Sequence, residues 1–312
     1  MIIKNGVVGD WRLSDEEFTA SLHLPCACDR VETLRKANPF PSDEQIHFDE
    51  ESHTYTVNGV VVPLSVTGLI HRHARTFDPI AAIQNMRAET RQGYTNKGLV
   101  SEEDILHAWD GNGKVQRNRG TLMHFHIEQY LNSCVIERPY SSEFEQFLAL
   151  HEQVIQDHQI PFRTELSVFS KSLNVCGQID AIFKRLDDTF ALWDWKRSKL
   201  LRYDSRSQMK EPLDHLPDVN IWHYFLQLNI YRRILQEDYG LSVSAMYLGV
   251  FHPSRSQPLC VRVPLMDDEM HLLFSVSCSA FVMSKGVCSC CGSKSTTHGE
   301  IHTPCSQASK DH

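Results

Sequence analysis

Nowhere does the chain carry an apolar run approaching the ~20 residues that a membrane span requires. Met1 to Glu17 also lacks a secretory apolar stretch and an Arg-rich presequence; Asp10, Asp15, Glu16 and Glu17 stand there instead. No membrane association and no secretion are expected, and the chain reads as intracellular with no mitochondrial address visible. Positive charge is not in excess: the net charge is -8, which taken alone argues against a general nucleic-acid binder. No internal repeat is apparent, so a repeat array is not expected.

What is present fits a globular protein. At 312 residues and 41% hydrophobic content, the chain can bury one large core, or a core with a smaller added domain. Of its ten cysteines, Cys134, Cys176, Cys260 and Cys278 are isolated in apolar or mixed segments, as reduced buried thiols would be. Charge is also uneven. Between Lys196 and Lys210 lie Lys196, Arg197, Lys199, Arg202, Arg206 and Lys210 against a single Asp204, the most basic stretch of the chain.

Periodicity and punctuation predict the elements. Asn58-Gly59 between His53–Val57 and Val60–Leu64 predicts a hairpin. Ser65 or Thr67 can cap a helix running through His71, and Asp78-Pro79 opens another. Ser101 to Asp104 resembles a capping box for a helix that Asp110-Gly-Asn-Gly113 is expected to end. Residues 1 to about 115 thus read as a helical region with one hairpin, and 116–284 as the core. In the core, helical spacing covers Leu122 to Leu131 and Phe144 to Ile155. Strands are expected at Glu165–Ser170, Val175–Phe183 and Phe190–Lys196, with a turn at Leu186-Asp187-Asp188. In the second, Val175, Gly177, Ile179, Ala181 and Phe183 should share one face. A helix over Val219–Asp238, strands at Val243–Phe251 and Leu259–Val263, and a helix from Asp267 to Val282 complete the order. The predicted fold class is α/β or α+β, with a mixed central sheet flanked by helices. The tail, residues 285–312, is rich in Ser, Gly, Cys and Thr and is expected to be poorly ordered.

In Trp193-Asp194-Trp195-Lys196, Asp194 and Lys196 share one strand face and the tryptophans the other. The short hairpin brings Asp180 near Asp194. Two converging carboxylates repel unless a cation joins them, and with water and phosphate oxygens they suit Mg²⁺ or Mn²⁺. Such a site could cleave phosphodiesters, with Lys196 supporting the developing negative charge.

These motifs resemble the PD-(D/E)xK nuclease superfamily, in the RecB-like branch that includes lambda exonuclease and the mitochondrial genome maintenance exonuclease. Arg119 to His124 with Ile127-Glu128 resembles the helix that supplies a histidine metal ligand. Gly177-Gln178-Ile179-Asp180 resembles the strand with the first acidic ligand, Asp194-Trp195-Lys196 the D/E-x-K strand, and Gln227 to Tyr231 the Q-x-x-x-Y helix. The likeness is strong over residues 115 to 255 and weaker at Ser65-Val66-Thr67. Ile179 stands where the superfamily's name has Pro, and Asp194 where Glu is frequent. D-x-K alone recurs by chance; four motifs in order, each on the expected element, are specific. The resemblance implies a restriction-endonuclease-like core with an N-terminal helical extension. It implies catalysis by Asp180, Asp194 and Lys196, and a metal held by His124, Asp180 and Asp194. It also implies DNA as partner, with exonuclease action on single-stranded ends. The competing readings are a structure- or sequence-specific endonuclease and a nucleic-acid-binding protein with a dead site; the intact Asp180, Asp194 and Lys196 argue against the last.

Other residues keep two readings. Glu128, one turn beyond His124, is a helix-surface partner or a support for His124 or a basic side chain. Glu165 is a third acidic group of the site or a strand-end charge. Gln227 reaches the site or the nucleic-acid backbone, or is the polar neighbour of a core Tyr231. Arg119, Arg197, Arg202 and Arg206 contact phosphates or are solvated surface. Cys288, Cys290, Cys291 and Cys305, with His298, His302 and Cys26 or Cys28, invite an iron–sulfur or zinc reading. The C-x-C-C spacing argues against it.

Overall fold

The computed structural model describes residues 32–274 apart from 50, 51, 53, 137, 139 and 157. The 285–312 tail, Cys26, Cys28 and Cys278 lie outside the described residues.

Asn58 and Gly59 take φ of 50° and 77°, the left-handed pair that closes a tight hairpin. The hairpin joins β2 (Thr54–Val57) to β3 (Val60–Val62). A strand that the sequence did not signal, β1 (Ile46–Asp49), pairs antiparallel with β2 and makes a three-stranded sheet. Before it come α1 (Thr33–Ala37) and a 3₁₀ turn (Pro41–Glu44). Ser65 caps α2 (Val66–His73) by accepting from Gly68 N–H at 3.0 Å, and Asp78 caps α3 (Pro79–Gln84) through Ala81 N–H. After α4 (Ala88–Thr95), Ser101 and Asp104 form the expected capping box of α5.

Helix α5 spans Glu102–Leu131 without interruption, so the predicted stop at Gly113 is overturned and the boundary near residue 115 falls inside a helix. Gly111, Gly113 and Gly120 weaken the helix by about 1 kcal/mol each. Buried Ile105, Val115, Met123 and Ile127, spread along its length, outweigh them.

The main sheet has the order β4-β5-β6-β7-β8: β4 (Gln159–Ser170), β5 (Val175–Arg185), β6 (Phe190–Arg197), β7 (Val243–Phe251) and β8 (Leu259–Arg262). All pairs are antiparallel except β6 with β7. A parallel pair needs a long crossover, supplied by α7 (Asn220–Asp238). A further helix is described over 267–274. The chain is thus a mixed α/β protein, with helices on both faces of its larger sheet. Leu192, Leu248 and Val250 pack with α2 and α7 on one face. Ala191, Trp193 and Trp195 pack with α5, α6 (Ser142–Leu150) and Phe251 on the other. Among the described residues no helix is long and apolar enough to cross a membrane.

Burial on both faces leaves no slack at the centre. Gly249 on β7 sits beside Trp195 on β6, and a Cβ there would lie 2.7 Å from the indole Cε3. Gly249→Ala should therefore destabilise the fold by about 1–3 kcal/mol, measured by urea unfolding. An unchanged midpoint would mean that the indole shifts at no cost.

Candidate active site

The site forms where two strands part. β5 and β6 pair from Lys184–Phe190 up to Ala181–Trp193 and no further. Beyond that point the Trp195 N–H is taken by Asp180 Oδ2 at 2.7 Å, a side chain standing in for the ladder. The alternation of β5 slips here as well. Ile179 and Ile182 both pack on the α7 side, while Ala181 and Phe183 pack on the α5 side. The predicted single face for Val175 to Phe183 is therefore wrong. Opposite Asp180 on β4 stands Glu165, whose φ of 45° breaks the regular pleat. A slip of this kind re-aims side chains, and here it points two carboxylates at one another.

His124 reaches the same point from α5. Its Nδ1 is 3.6 Å from Asp180 Oδ2 and 3.8 Å from Glu165 Oε1. Donor atoms of His124, Glu165 and Asp180 all lie within 4.8 Å of one another. Burial disfavours a charged His124, but the Asp180 and Glu165 carboxylates outweigh it and raise its pKa to about 9. Burial, reinforced by Glu165, raises the pKa of Asp180 against the pull of His124 and Lys196. One imidazole and two carboxylates, gathered and half-buried, fit a divalent cation with mixed nitrogen and oxygen ligands. The electrostatics that favour the imidazolium also favour a metal ion, so protons and metal compete for His124.

Asp194 and Lys196 share a face of β6, as strand alternation requires, and Lys196 Nζ donates to Asp194 Oδ1 at 2.8 Å. Burial and the neighbouring Asp180 raise the Asp194 pKa, opposed by Lys196, to about 6. The carboxylate is 2% exposed and its Oδ2 has no hydrogen-bond partner among the described residues. Such an atom is costly to leave unmet and marks the inner wall of the site. Burial works against the Lys196 charge, but Asp194 and Asp180 outweigh it and raise its pKa. The ammonium also lies 4.9 Å from the centre of the Tyr224 ring. That contact crosses from β6 to α7. From sequence, Tyr224 is marked only by its place in the helix expected over Val219–Asp238.

The gathered trio thus contains Glu165, one of two open readings, where Asp194 was expected; Asp194 instead holds Lys196. Gln227 and Tyr231 are buried on α7, with Gln227 donating to the Tyr231 hydroxyl at a long 3.5 Å. Tyr231 packs against β5, where a Cβ at Gly177 would come 2.5 Å from its ring. That is the packing reading of the Q-x-x-x-Y pair. Glu128 is buried and, with Glu165, Gln178 and Arg163, lines a polar cavity of about 250 Å³ beside the trio. Arg119 is half-buried on α5. Arg197 is not an open phosphate contact: its side chain is 6% exposed, pairs with Glu143 at 2.6 Å and donates to Gln116. The strand alternation that puts Lys196 in the site turns Arg197 away from it. Arg202 and Arg206 are exposed in the loop after β6.

No protein-family model matches the chain, and no curated protein matches it. A solved structure described as "Crystal structure of SSO0001" is similar at 14% identity and a TM-score of 0.26, covering 69% of this chain and 84% of that one.

Proposed function

We propose that the chain is a metal-dependent phosphodiesterase that degrades DNA from free, single-stranded ends. The observation that carries this reading is the placement of two groups side by side. A His124, Glu165 and Asp180 cluster able to hold a divalent cation adjoins the ion pair of half-buried Lys196 with buried Asp194. Bound Mg²⁺ or Mn²⁺ would polarise the scissile phosphate and make its water acidic. The chain supplies the rest. Asp194 and the Tyr224 ring hold the Lys196 ammonium in place, where it faces the negative charge that develops on the phosphate. Asp180, fixed by Trp195 N–H, and Glu165, fixed on its kinked strand, set the position of the reaction centre. End-directed action on DNA comes from the likeness to RecB-like nucleases and rests on that resemblance.

The test is digestion of end-labelled linear DNA and closed circular DNA with Mg²⁺ or Mn²⁺, and with a chelator. The expected result is metal-dependent loss of linear single strands with circles spared. Cutting of circles would make the protein an endonuclease. No cutting under any metal, with the fold intact, would overturn the reading.

A further inference from the structure

The loop that follows β6 carries two large apolar side chains turned to solvent, Leu200 and Tyr203, 58% and 54% exposed. Scattered exposed apolar residues are ordinary on protein surfaces. These two differ in how they are held. Asn220, at the start of α7, grips the loop twice: its Oδ1 accepts from Arg202 N–H and its Nδ2 donates to the Leu200 carbonyl, both at 3.0 Å. Trp222 Nε1 donates to the Tyr203 carbonyl at 3.1 Å, and Arg255 donates to the carbonyls of Ser198 and Lys199. The backbone of the loop is therefore fixed while its apolar side chains remain open. Lys199, Arg202 and Arg206 are exposed around them, with Asp204 the single acid between Lys196 and Lys210.

Position adds to this. The loop begins two residues after Lys196. The residue that pins it, Asn220, is one helical turn, about 6 Å, from Tyr224, whose ring lies against the Lys196 ammonium. An aromatic ring on a rigid support, among cations and close to a phosphate-directed lysine, suits a strand whose base faces are free. A duplex keeps those faces stacked internally and can use only the cations.

We propose that Tyr203, with Leu200 beside it, is a base-stacking platform that seats single-stranded nucleic acid next to the Lys196 site. Lys199, Arg202 and Arg206 meet its phosphates. The proposal rests on the nuclease reading and names the residues that would seat its single-stranded substrate. It is tested by fluorescence anisotropy with labelled oligo-deoxythymidine and a blunt duplex, in chelator so that nothing is cleaved. Tyr203→Ala should weaken single-strand binding about tenfold, leave duplex binding within about twofold, and keep the salt slope. Tyr203→Trp should restore the parent affinity. Arg202→Gln with Arg206→Gln should weaken both ligands and flatten the salt slope. Equal loss on strand and duplex in Tyr203→Ala, or no loss on either, overturns the platform. So does a parent dimer that Tyr203→Ala dissociates on gel filtration, since the ring would then cover a second copy. If the parent cleaves DNA and Tyr203→Ala binds like it, the platform alone falls. If the parent neither cleaves nor binds, the nuclease reading falls with it.

Discussion

Lys196→Ala should lower the rate of DNA cleavage by about 10²–10³-fold and leave Mn²⁺ binding near that of the parent. Asp180→Asn should abolish cleavage and weaken Mn²⁺ binding together. The two differ because the two side chains do different things. Asp180 belongs to the cluster whose donor atoms converge. Its amide replacement can still accept from Trp195 N–H, so the strand gap stays closed while the charge is lost. Lys196 touches Asp194 and the Tyr224 ring and is not a ligand. Its removal strands a buried Asp194 carboxylate, so Lys196→Gln, which keeps a donor, is the companion variant. Calorimetry with Mn²⁺ and cleavage of labelled DNA are the measurements, and a thermal melt confirms folding. If Lys196→Ala cleaves like the parent, the strand carrying Asp194 and Lys196 is not the active site.

Asp43→Ala should cost about 3 kcal/mol or more of stability, because it leaves a guanidinium buried without its partner. Arg163 is 3% exposed and bonds Asp43 in a two-pronged pair at 2.8 and 2.9 Å, with a third bond to the Asn38 carbonyl. The Phe40 ring lies 5.5 Å from the guanidinium. Burial works against the Asp43 charge, yet Arg163 and the Phe40 N–H hold its pKa below the usual carboxylate value. A depressed pKa stabilises the folded chain at pH above the unfolded value and loses that stabilisation as pH falls through the folded one. Urea unfolding of the parent and Asp43→Asn should thus show a wide gap at neutral pH that narrows in acid, below about pH 4. A gap that is the same at both would show that the pair's charge contributes nothing. The clamp ties the 3₁₀ turn Pro41–Glu44 to β4 two residues before Glu165, so its loss should also loosen the Glu165 carboxylate.

The regular parts of the main sheet were readable because alternation, turn residues and helical spacing agreed with one another. β7 appears as expected over Val243–Phe251, and the capping box of Ser101 and Asp104 starts α5 as expected. What failed depends on distant partners. Gly111 and Gly113 look like a helix end until packing along the whole of α5 is counted. β1 is four residues long and takes its identity from pairing with β2. Arg197 reads as a free cation until Glu143, 54 residues earlier, is placed against it. The candidate site divides the same way. Asp180, Asp194 and Lys196 are visible as types at spacings, and His124 only through the resemblance. Glu165 stayed ambiguous because its role depends on a positive φ and a register across from Asp180, neither of which the residue type states.

The parted strands have a thermodynamic consequence. A free aspartate samples several rotamers, and a metal that fixes it must overcome that freedom at the moment of binding. Asp180 is already fixed by folding, since Trp195 N–H holds Oδ2 at 2.7 Å. The entropy of ordering the side chain, well under about 2 kcal/mol for one residue, is thereby moved from the binding step to the folding step. The opening between β5 and β6 forgoes a ladder hydrogen bond, and in exchange Asp180 is preorganised, so the affinity of a metal held there would be coupled to fold stability through one backbone amide.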